Sequence, residues 1–375
     1  MAARGDRVHY FDYLRLFAML GVILMHEASG LLRSELTLGW FGADLLTSLA
    51  FTAVPLFFMM SGALLLSRDE TADLDRLWKK RLPKLLVPLL FWSVISVFWL
   101  WHTGAKTLEE IPGAIASALN DPVYVHLWYL YTLAGFYLLS PLLRRMVQAL
   151  DRRLSRYLLL LMAAVVLLDI ILPLVPGKYA NLFNWRIARE LKFFDGHLFA
   201  FLLGYYLHRT ERRFPTPALA AASAVLLAAI TLGTWWKTSA SGAYNSVFQT
   251  QSGGYELILA ACIFLLAKNL LQQKRPPLPI RTAVALSMPI YLMHLLIISF
   301  LWQFDIGPTR FILLLPCTAL VFVISLLIAK TMTSIPGLCY LSSGMRFSVA
   351  SASCNWIFTF RTLREARRKH KNRTA

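Results

Sequence analysis

Long apolar stretches, each about the length of a membrane-crossing helix, alternate with short polar segments along most of the chain. A hydrocarbon core of about 30 Å requires about 20 apolar residues in a helix. No stretch shows the ten-residue alternation that is typical of outer-membrane strands. The pattern predicts an all-α, polytopic integral membrane protein with about ten transmembrane helices, at roughly 11–31, 44–67, 84–102, 125–143, 157–175, 194–208, 217–236, 254–271, 283–304 and 310–330.

Basic residues are concentrated in every second connecting segment. If the N-terminus is cytoplasmic, the inner segments hold 29 of the 38 lysines and arginines, and the outer loops hold 8. An excess of this kind is typical of cytoplasmic loops. It predicts that both termini are cytoplasmic, which requires an even number of spans. We therefore interpret the formal net charge of +18 as a topological signal and not as a nucleic-acid site.

The composition excludes an ordinary soluble domain. Hydrophobic residues make up 57% of the 375 positions and charged residues 15%, whereas an average soluble domain is about 25% charged. The four cysteines show no metal-ligand spacing, so we expect neither a metal site nor a disulfide framework. The chain divides into a transmembrane domain over 1–333 and a basic tail over 334–375. We interpret this tail as cytoplasmic, and as partly disordered or bound to the membrane surface.

The first predicted helix carries ionisable residues where lipid would disfavour them. Asp12 and Arg15 are three residues apart, and the step from Arg15 to His26 is nearly three full turns. One stripe of the helix therefore bears all three, with His26 about 16 Å along the axis from Arg15. Such a stripe must line a polar cavity or pair with other helices. Asp12 and Arg15 are either a structural pair or functional groups, whereas His26 is favoured as a residue that transfers a proton.

A basic segment precedes the third predicted helix. Arg81 and Lys84 are three residues apart and share a helix face at the cytoplasmic surface. Charged donors in this arrangement are suited to binding phosphates. The alternative interpretation is the ordinary positive charge of a cytoplasmic loop.

Three further residues are candidates for a substrate site. Ser61 lies near the end of the second predicted helix, and the glycine after it permits a close approach between helices. His126 and Trp128 begin the fourth predicted helix. They belong either to an interfacial belt of aromatic residues or to a sugar site, where an aromatic ring stacks on the sugar.

The remaining polar residues divide into an outer loop and two isolated histidines. Arg186 and Arg189 lie in a loop that is positively charged although it is predicted to be on the outer side of the membrane. This exception to the positive-inside rule suggests an anionic ligand there. His197 and His294 are interpreted as packing residues inside the bundle. The sequence contains no P-loop and no HExxH motif, so ATP-driven transport and zinc-dependent hydrolysis lose support.

Several of these elements occur in the order of a known family: Asp12, Arg15 and His26, then VPLFFMMSG (54–62), the basic start of the third helix, HLWYLY (126–131) with SPLL (140–143), LLGYYL (202–207) and IYLMHLL (290–296). They resemble the acyltransferase 3 family of bacterial membrane O-acyltransferases, most closely its branch that modifies surface polysaccharides. The resemblance covers about residues 8–330. It implies ten transmembrane helices in the bacterial inner membrane. It also implies transfer of an acetyl or other short acyl group from cytoplasmic acyl-coenzyme A to a glycan hydroxyl.

The resemblance implies roles for individual residues. His26 corresponds to the presumed catalytic histidine of the family, and Arg15 to the arginine that precedes it. Arg81 and Lys84 correspond to a basic pair, commonly two arginines, that contacts the coenzyme. Lys84 departs from this pattern, because a lysine keeps the charge but loses the bidentate geometry of arginine.

Two chemical routes remain open for the function implied by the resemblance. His26 acts as a general base on the acceptor hydroxyl, or it takes the acyl group itself and passes it on. Asp12 orients Arg15 in either route. We expect acetyl-coenzyme A as the donor substrate, no permanently bound cofactor, and a glycan or lipid-linked glycan as the acceptor. The alternative from another class is a transporter or glycan flippase without acyl transfer, which would also need buried charges.

Overall fold

The computed structural model describes residues 7–118, 120–171, 174–175 and 196–347, and every regular element in these ranges is helical. Short helical turns connect the longer helices. The longer helices are α1 (His9–Glu27), α2 (Leu38–Ala50), α3 (Ala53–Leu66), α4 (Pro83–His102), α5 (Trp128–Ala149), α6 (Arg152–Ile171), α7 (Gly196–Arg209), α8 (Thr216–Ser241), α9 (Gly254–Leu271), α10 (Leu278–Ala285), α11 (Ser287–Trp302) and α12 (Phe311–Thr333).

Each predicted transmembrane segment coincides with one helix or with two consecutive helices. The all-α membrane class is confirmed for the described ranges, whereas the count of ten spans and the cytoplasmic position of both termini remain predictions. Helix α7, with 14 residues, is about 21 Å long, shorter than the hydrocarbon core. The bent pair α10 and α11, which turns by 72°, is a sixth candidate span. Five segments of the described chain are long and apolar enough to cross a membrane: Leu38–Leu66, Leu74–His102, Thr216–Ser241, Gly254–Leu271 and Phe311–Thr333.

Helix α1 occupies the centre of the bundle. Helices α2, α3, α9, α10, α11 and α12 all pack against it. Its apolar residues form part of the main hydrophobic core, whereas the membrane-crossing parts of α8 and α12 are only 22% buried. Polar groups in α1 are therefore surrounded by protein and not by lipid chains, as their cost in hydrocarbon requires.

The second predicted helix is divided into α2 and α3. The break falls at Phe51 and Thr52, three to four residues before Pro55. A proline has no backbone N–H, and its ring collides with the carbonyl group four residues earlier in a continuous helix. Pro55 lies in the first turn of α3, where a helix needs neither the N–H nor a carbonyl group four residues earlier. A new helix can therefore begin there, and the chain continues across the membrane as α3.

Helices α3 and α7 approach each other more closely than side chains would allow. A Cβ atom added to Gly62 of α3 would overlap the carbonyl oxygen of Phe201. A Cβ atom added to Gly204 of α7 would overlap the backbone of Met59. The glycine after Ser61 therefore permits the close helix approach that the sequence predicts. This contact fixes the short helix α7 against the central part of the bundle.

The first part of the basic tail packs on the bundle. A short helix at Leu338–Ser343 lies against α4, where the indole of Trp92 donates a hydrogen bond of 3.0 Å to the carbonyl of Ser342. Gly344 then adopts a φ of +65° and lies against the backbone of Lys84. Residues 334–347 are thus continuous with the helical bundle, and residues 348–375 lie outside the described residues.

Replacing Gly62 with alanine should destabilise the bundle, because the added methyl group meets backbone and not a flexible side chain. We expect a loss of about 1–3 kcal/mol, the usual cost of overpacking. Gly135→Ala in α5 is the matched control, since a Cβ atom there meets nothing within 4 Å. Thermal unfolding of both variants in detergent measures the difference. Equal melting temperatures would contradict the close contact between α3 and α7.

Candidate functional site

The polar stripe of α1 extends from one end of the bundle into its interior. At the N-terminal end of the helix, the Asp12 carboxylate forms an ion pair of 2.6 Å with the Arg7 guanidinium. Arg15, one turn further on, interacts electrostatically with Asp12, Tyr129 and Tyr137. Asp12 is thus bonded directly to Arg7 and acts on Arg15 through its charge.

His26, near the other end of α1, belongs to a histidine cluster formed by His26, His126 and His294. The ring centre of His294 in α11 lies 5.3 Å from that of His26 and 5.1 Å from that of His126. His126 reaches the cluster from the turn Val125–Leu127 that precedes α5. Three imidazoles from distant parts of the chain therefore meet at one place inside the bundle.

Backbone carbonyl groups hold two of these rings in place. Nε2 of His126 lies 3.0 Å from the carbonyl oxygen of Leu292, and Nδ1 of His294 lies 2.5 Å from that of Tyr291. A carbonyl oxygen only accepts hydrogen bonds, so each of these nitrogens must carry the hydrogen. The Tyr291 hydroxyl in turn donates to the carbonyl of His126, which ties α11 to the turn.

The two remaining ring nitrogens are left as acceptors. Nδ1 of His126 and Nε2 of His294 are buried and have no hydrogen-bond partner among the described residues. A buried acceptor without a partner costs free energy, so each of these nitrogens is expected to accept a hydrogen bond from water or from a bound substrate. The cluster therefore offers lone pairs to a hydroxyl group.

A cavity of about 430 Å³ opens beside His26, at the end of α1 opposite to Arg7. The indole Nε1 of Trp302 forms one wall and donates to the Glu27 carboxylate across 3.4 Å. This volume lies within the usual range for sites that bind small molecules. Its other polar lining residues are Ser29, Tyr124, Ser299 and Gln303.

At the opposite end of the site, three arginines lie close enough to one phenol to interact with it electrostatically. Tyr137 interacts electrostatically with Arg15, Arg68 and Arg81, which we call the arginine cluster. The Arg81 guanidinium donates a hydrogen bond of 2.8 Å to the hydroxyl of Thr71, a neutral partner. The Lys84 side chain, in contrast, is exposed.

The segment that carries Arg68 and Arg81 is fixed to α5 by a buried arginine. The Arg144 guanidinium donates to the carbonyl of Leu66, at the end of α3, and to the Asp69 carboxylate. Nearby, a hydrogen bond from Arg76 lowers the pKa of Glu70, so this residue is a carboxylate at neutral pH. The positive charge of the arginine cluster is therefore only partly balanced by this segment.

Aromatic residues connect the arginine cluster with the histidine cluster. Tyr129 interacts electrostatically with Arg15, and the Ser61 hydroxyl hydrogen-bonds to it. Its ring lies 5.5 Å from that of Tyr291, which is 5.7 Å from His126. Polar groups thus follow one another through the protein interior from Arg15 to the histidines, over about 16 Å along α1.

The remaining candidate residues are members of neither the histidine cluster nor the arginine cluster. Trp128 faces His197, with ring centres 5.1 Å apart, and is turned away from the histidine cluster. Arg186 and Arg189 lie outside the described residues. The described ranges contain no group of three His, Cys, Asp or Glu side chains arranged to hold a metal ion.

His294 is the residue of the site that sequence reasoning missed. An isolated histidine in an apolar helix gives no local sign of its partners, and it was interpreted as a packing residue. The available signal was its position in IYLMHLL (290–296), one of the elements that carry the resemblance. Only the packing of α11 against α1 shows that it touches His26.

The carbonyl contacts predict the tautomers of two histidines. We expect the Nδ1–H form for His294 and the Nε2–H form for His126, because each contact requires a hydrogen on the named nitrogen. Nitrogen-15 NMR of ring-labelled protein measures this directly, and His294→Gln and His126→Gln assign the signals. Signals for the reverse tautomers would contradict this arrangement of the cluster.

Comparison with known proteins identifies a family for this chain. A family model described as an acyltransferase domain matches residues 8–330, which include both the arginine cluster and the histidine cluster. No curated protein and no solved structure matches the chain significantly. Because the matched region is most of the chain, the protein belongs to the acyltransferase 3 family.

Proposed function

We propose that the protein transfers an acetyl or other short acyl group from cytoplasmic acyl-coenzyme A to a hydroxyl of a cell-surface or lipid-linked glycan, in a bacterial inner membrane. Family membership gives the acyltransferase class. The observation that carries the proposal is the buried series of polar groups that joins the arginine cluster to the histidine cluster. A compact ion would not need both an anion-binding end and, about 16 Å away, a set of acceptor nitrogens.

The arginine cluster is suited to the phosphates of the donor. Arg15, Arg68 and Arg81 converge on Tyr137, and arginine binds phosphate through two parallel hydrogen bonds. The acyl-pantetheine arm is long, thin and uncharged. We propose that it reaches the histidine cluster past Tyr129 and Tyr291, whose rings lie 5.5 Å apart between the two clusters.

The thioester would then lie beside the histidine cluster. As the acceptor oxygen attacks the thioester carbonyl, a ring nitrogen of His26 takes the hydroxyl proton, and the carbon–sulfur bond breaks when the intermediate collapses. The proton passes to the departing thiolate, which yields an ester and free coenzyme A. The unpaired nitrogens of His126 and His294 are placed to accept hydrogen bonds from the acceptor or from His26.

The second route uses His26 as an acyl carrier. Its ring nitrogen attacks the thioester and releases coenzyme A, and the glycan hydroxyl then takes the acyl group from the imidazole. The two routes predict different amounts of released thiol when no acceptor is present. The carrier route releases one thiol per protein in a burst, whereas the base route releases none. The proposed acceptor contacts are Ser61 beside Tyr129, His126 in the histidine cluster and Trp128 next to His197, together with Arg186 and Arg189.

Replacing His26 with glutamine should lower acyl transfer by about 100-fold to 10,000-fold, the usual contribution of a general base. The measurement is the release of coenzyme A thiol by purified protein with acetyl-coenzyme A and acceptor glycan. His102→Gln, at the exposed end of α4, is the matched control and should keep full activity. A folded His26→Gln variant with unchanged thiol release would remove His26 from the mechanism. Movement of glycan without thiol release in the wild-type protein would favour the transporter.

Arg81→Gln should raise the KM for acyl-coenzyme A by about tenfold, the effect of losing one charge-assisted hydrogen bond. The change in kcat should be smaller, because Arg81 lies far from the reacting atoms. Lys84→Gln removes the same charge three residues later from an exposed position, so we expect a smaller rise in KM. Identical KM values for the two variants would show that only the overall charge of the segment matters.

A further inference from the structure

A second basic cavity, of about 680 Å³, lies at the end of the bundle where α1 begins. It is separate from the cavity beside His26 and lies between the start of α1, the end of α7, the end of α9 and the start of α10. Arg7, His9, His208, Lys268, Arg275 and Arg281 line it, and no described lining residue is acidic.

Hydrogen bonds join the helices at the floor of this cavity. The Tyr10 hydroxyl, which is buried, hydrogen-bonds to Nδ1 of His208 at 2.8 Å. The Lys268 ammonium donates to three backbone carbonyl groups at the end of α7, namely those of Leu207, His208 and Thr210. These bonds satisfy carbonyl groups that the helix itself leaves unpaired and hold α7 and α9 together.

Two of the cations around the cavity have no compensating charge. The Lys268 ammonium hydrogen-bonds to carbonyl groups, and Arg7 forms an ion pair with Asp12. For Arg275 and Arg281 the described part of the chain provides no ion pair. Nδ1 of His9 is buried there without a hydrogen-bond partner among the described residues. Two unpaired guanidinium groups and an unpaired ring nitrogen therefore line the same half-open cavity.

Positive charge at this end of the bundle is expected from topology alone, but topology does not require a cavity. Basic loop residues that act only as topological signals project into water or toward lipid headgroups. Here two exposed arginines border a half-open cavity between four helix ends, with a hydrogen-bonded floor. Arginine is suited to phosphate oxygens through its two parallel N–H groups. Basic pockets between membrane helices also bind anionic lipid headgroups.

We infer that this cavity is a binding site for a phosphate group, held by Arg275 and Arg281 above the Tyr10–His208 floor. The phosphate group belongs either to the headgroup of an anionic phospholipid or to a soluble phosphate compound. The inference does not depend on acyl transfer, because neither arginine belongs to the arginine cluster or the histidine cluster.

The test is the stabilisation of delipidated protein by added probes, followed by intrinsic tryptophan fluorescence during thermal unfolding. The probes are short-chain phosphatidylglycerol, short-chain phosphatidylcholine and inorganic pyrophosphate. The wild-type protein, the double variant Arg275→Gln/Arg281→Gln and the control Lys274→Gln/Arg153→Gln are compared. The control removes the same charge from exposed residues at the same end of the bundle that do not line the cavity.

We expect phosphatidylglycerol or pyrophosphate to raise the melting temperature of the wild-type protein, with an at least tenfold higher midpoint concentration in the double variant and an unchanged midpoint in the control. Stabilisation by phosphatidylglycerol alone assigns a lipid, and stabilisation by pyrophosphate alone assigns a soluble ligand. The inference fails if neither probe stabilises the protein, if phosphatidylcholine is equally effective, or if both double variants shift alike. If the double variant does not fold, Arg281→Gln and Lys274→Gln repeat the comparison.

Discussion

Enclosing the charged and polar groups of α1 is the constraint on which the rest of the bundle depends. Asp12, Arg15 and His26 cannot face lipid without a large cost, so other helices must surround this one. Six helices do so, and the apolar spans α8 and α12 are only 22% buried. The same enclosure keeps bulk water away from the polar groups, which strengthens electrostatic interactions between them.

The backbone itself is used to organise the site. Carbonyl groups of α11 orient His126 and His294, and each ring is left with one free lone pair. The close contact between α3 and α7 likewise depends on the backbone, because it positions two whole helices. It needs glycine at two positions and admits no other residue without a shift of backbone. Positions far from any reacting atom therefore define where the reacting atoms lie.

Much of the fold was visible in the sequence because a membrane permits few solutions. Each of the predicted spans coincides with a helix or a helix pair, since a stretch of about 20 apolar residues can cross lipid only as a helix. The second span, predicted as one helix, is divided near Pro55. The stripe of α1 followed from helical periodicity, which depends only on residues close together in the chain.

The sequence by itself determined the membrane class, the helices and the polar stripe of α1, because hydropathy and periodicity are local properties. Only the tertiary structure decided which polar residues meet. It joined His294 to His26 and His126, turned Trp128 toward His197, and left Lys84 exposed while Arg81 meets Tyr137. These contacts connect residues up to 268 positions apart, and no local pattern encodes them, because they arise from how whole helices pack against one another.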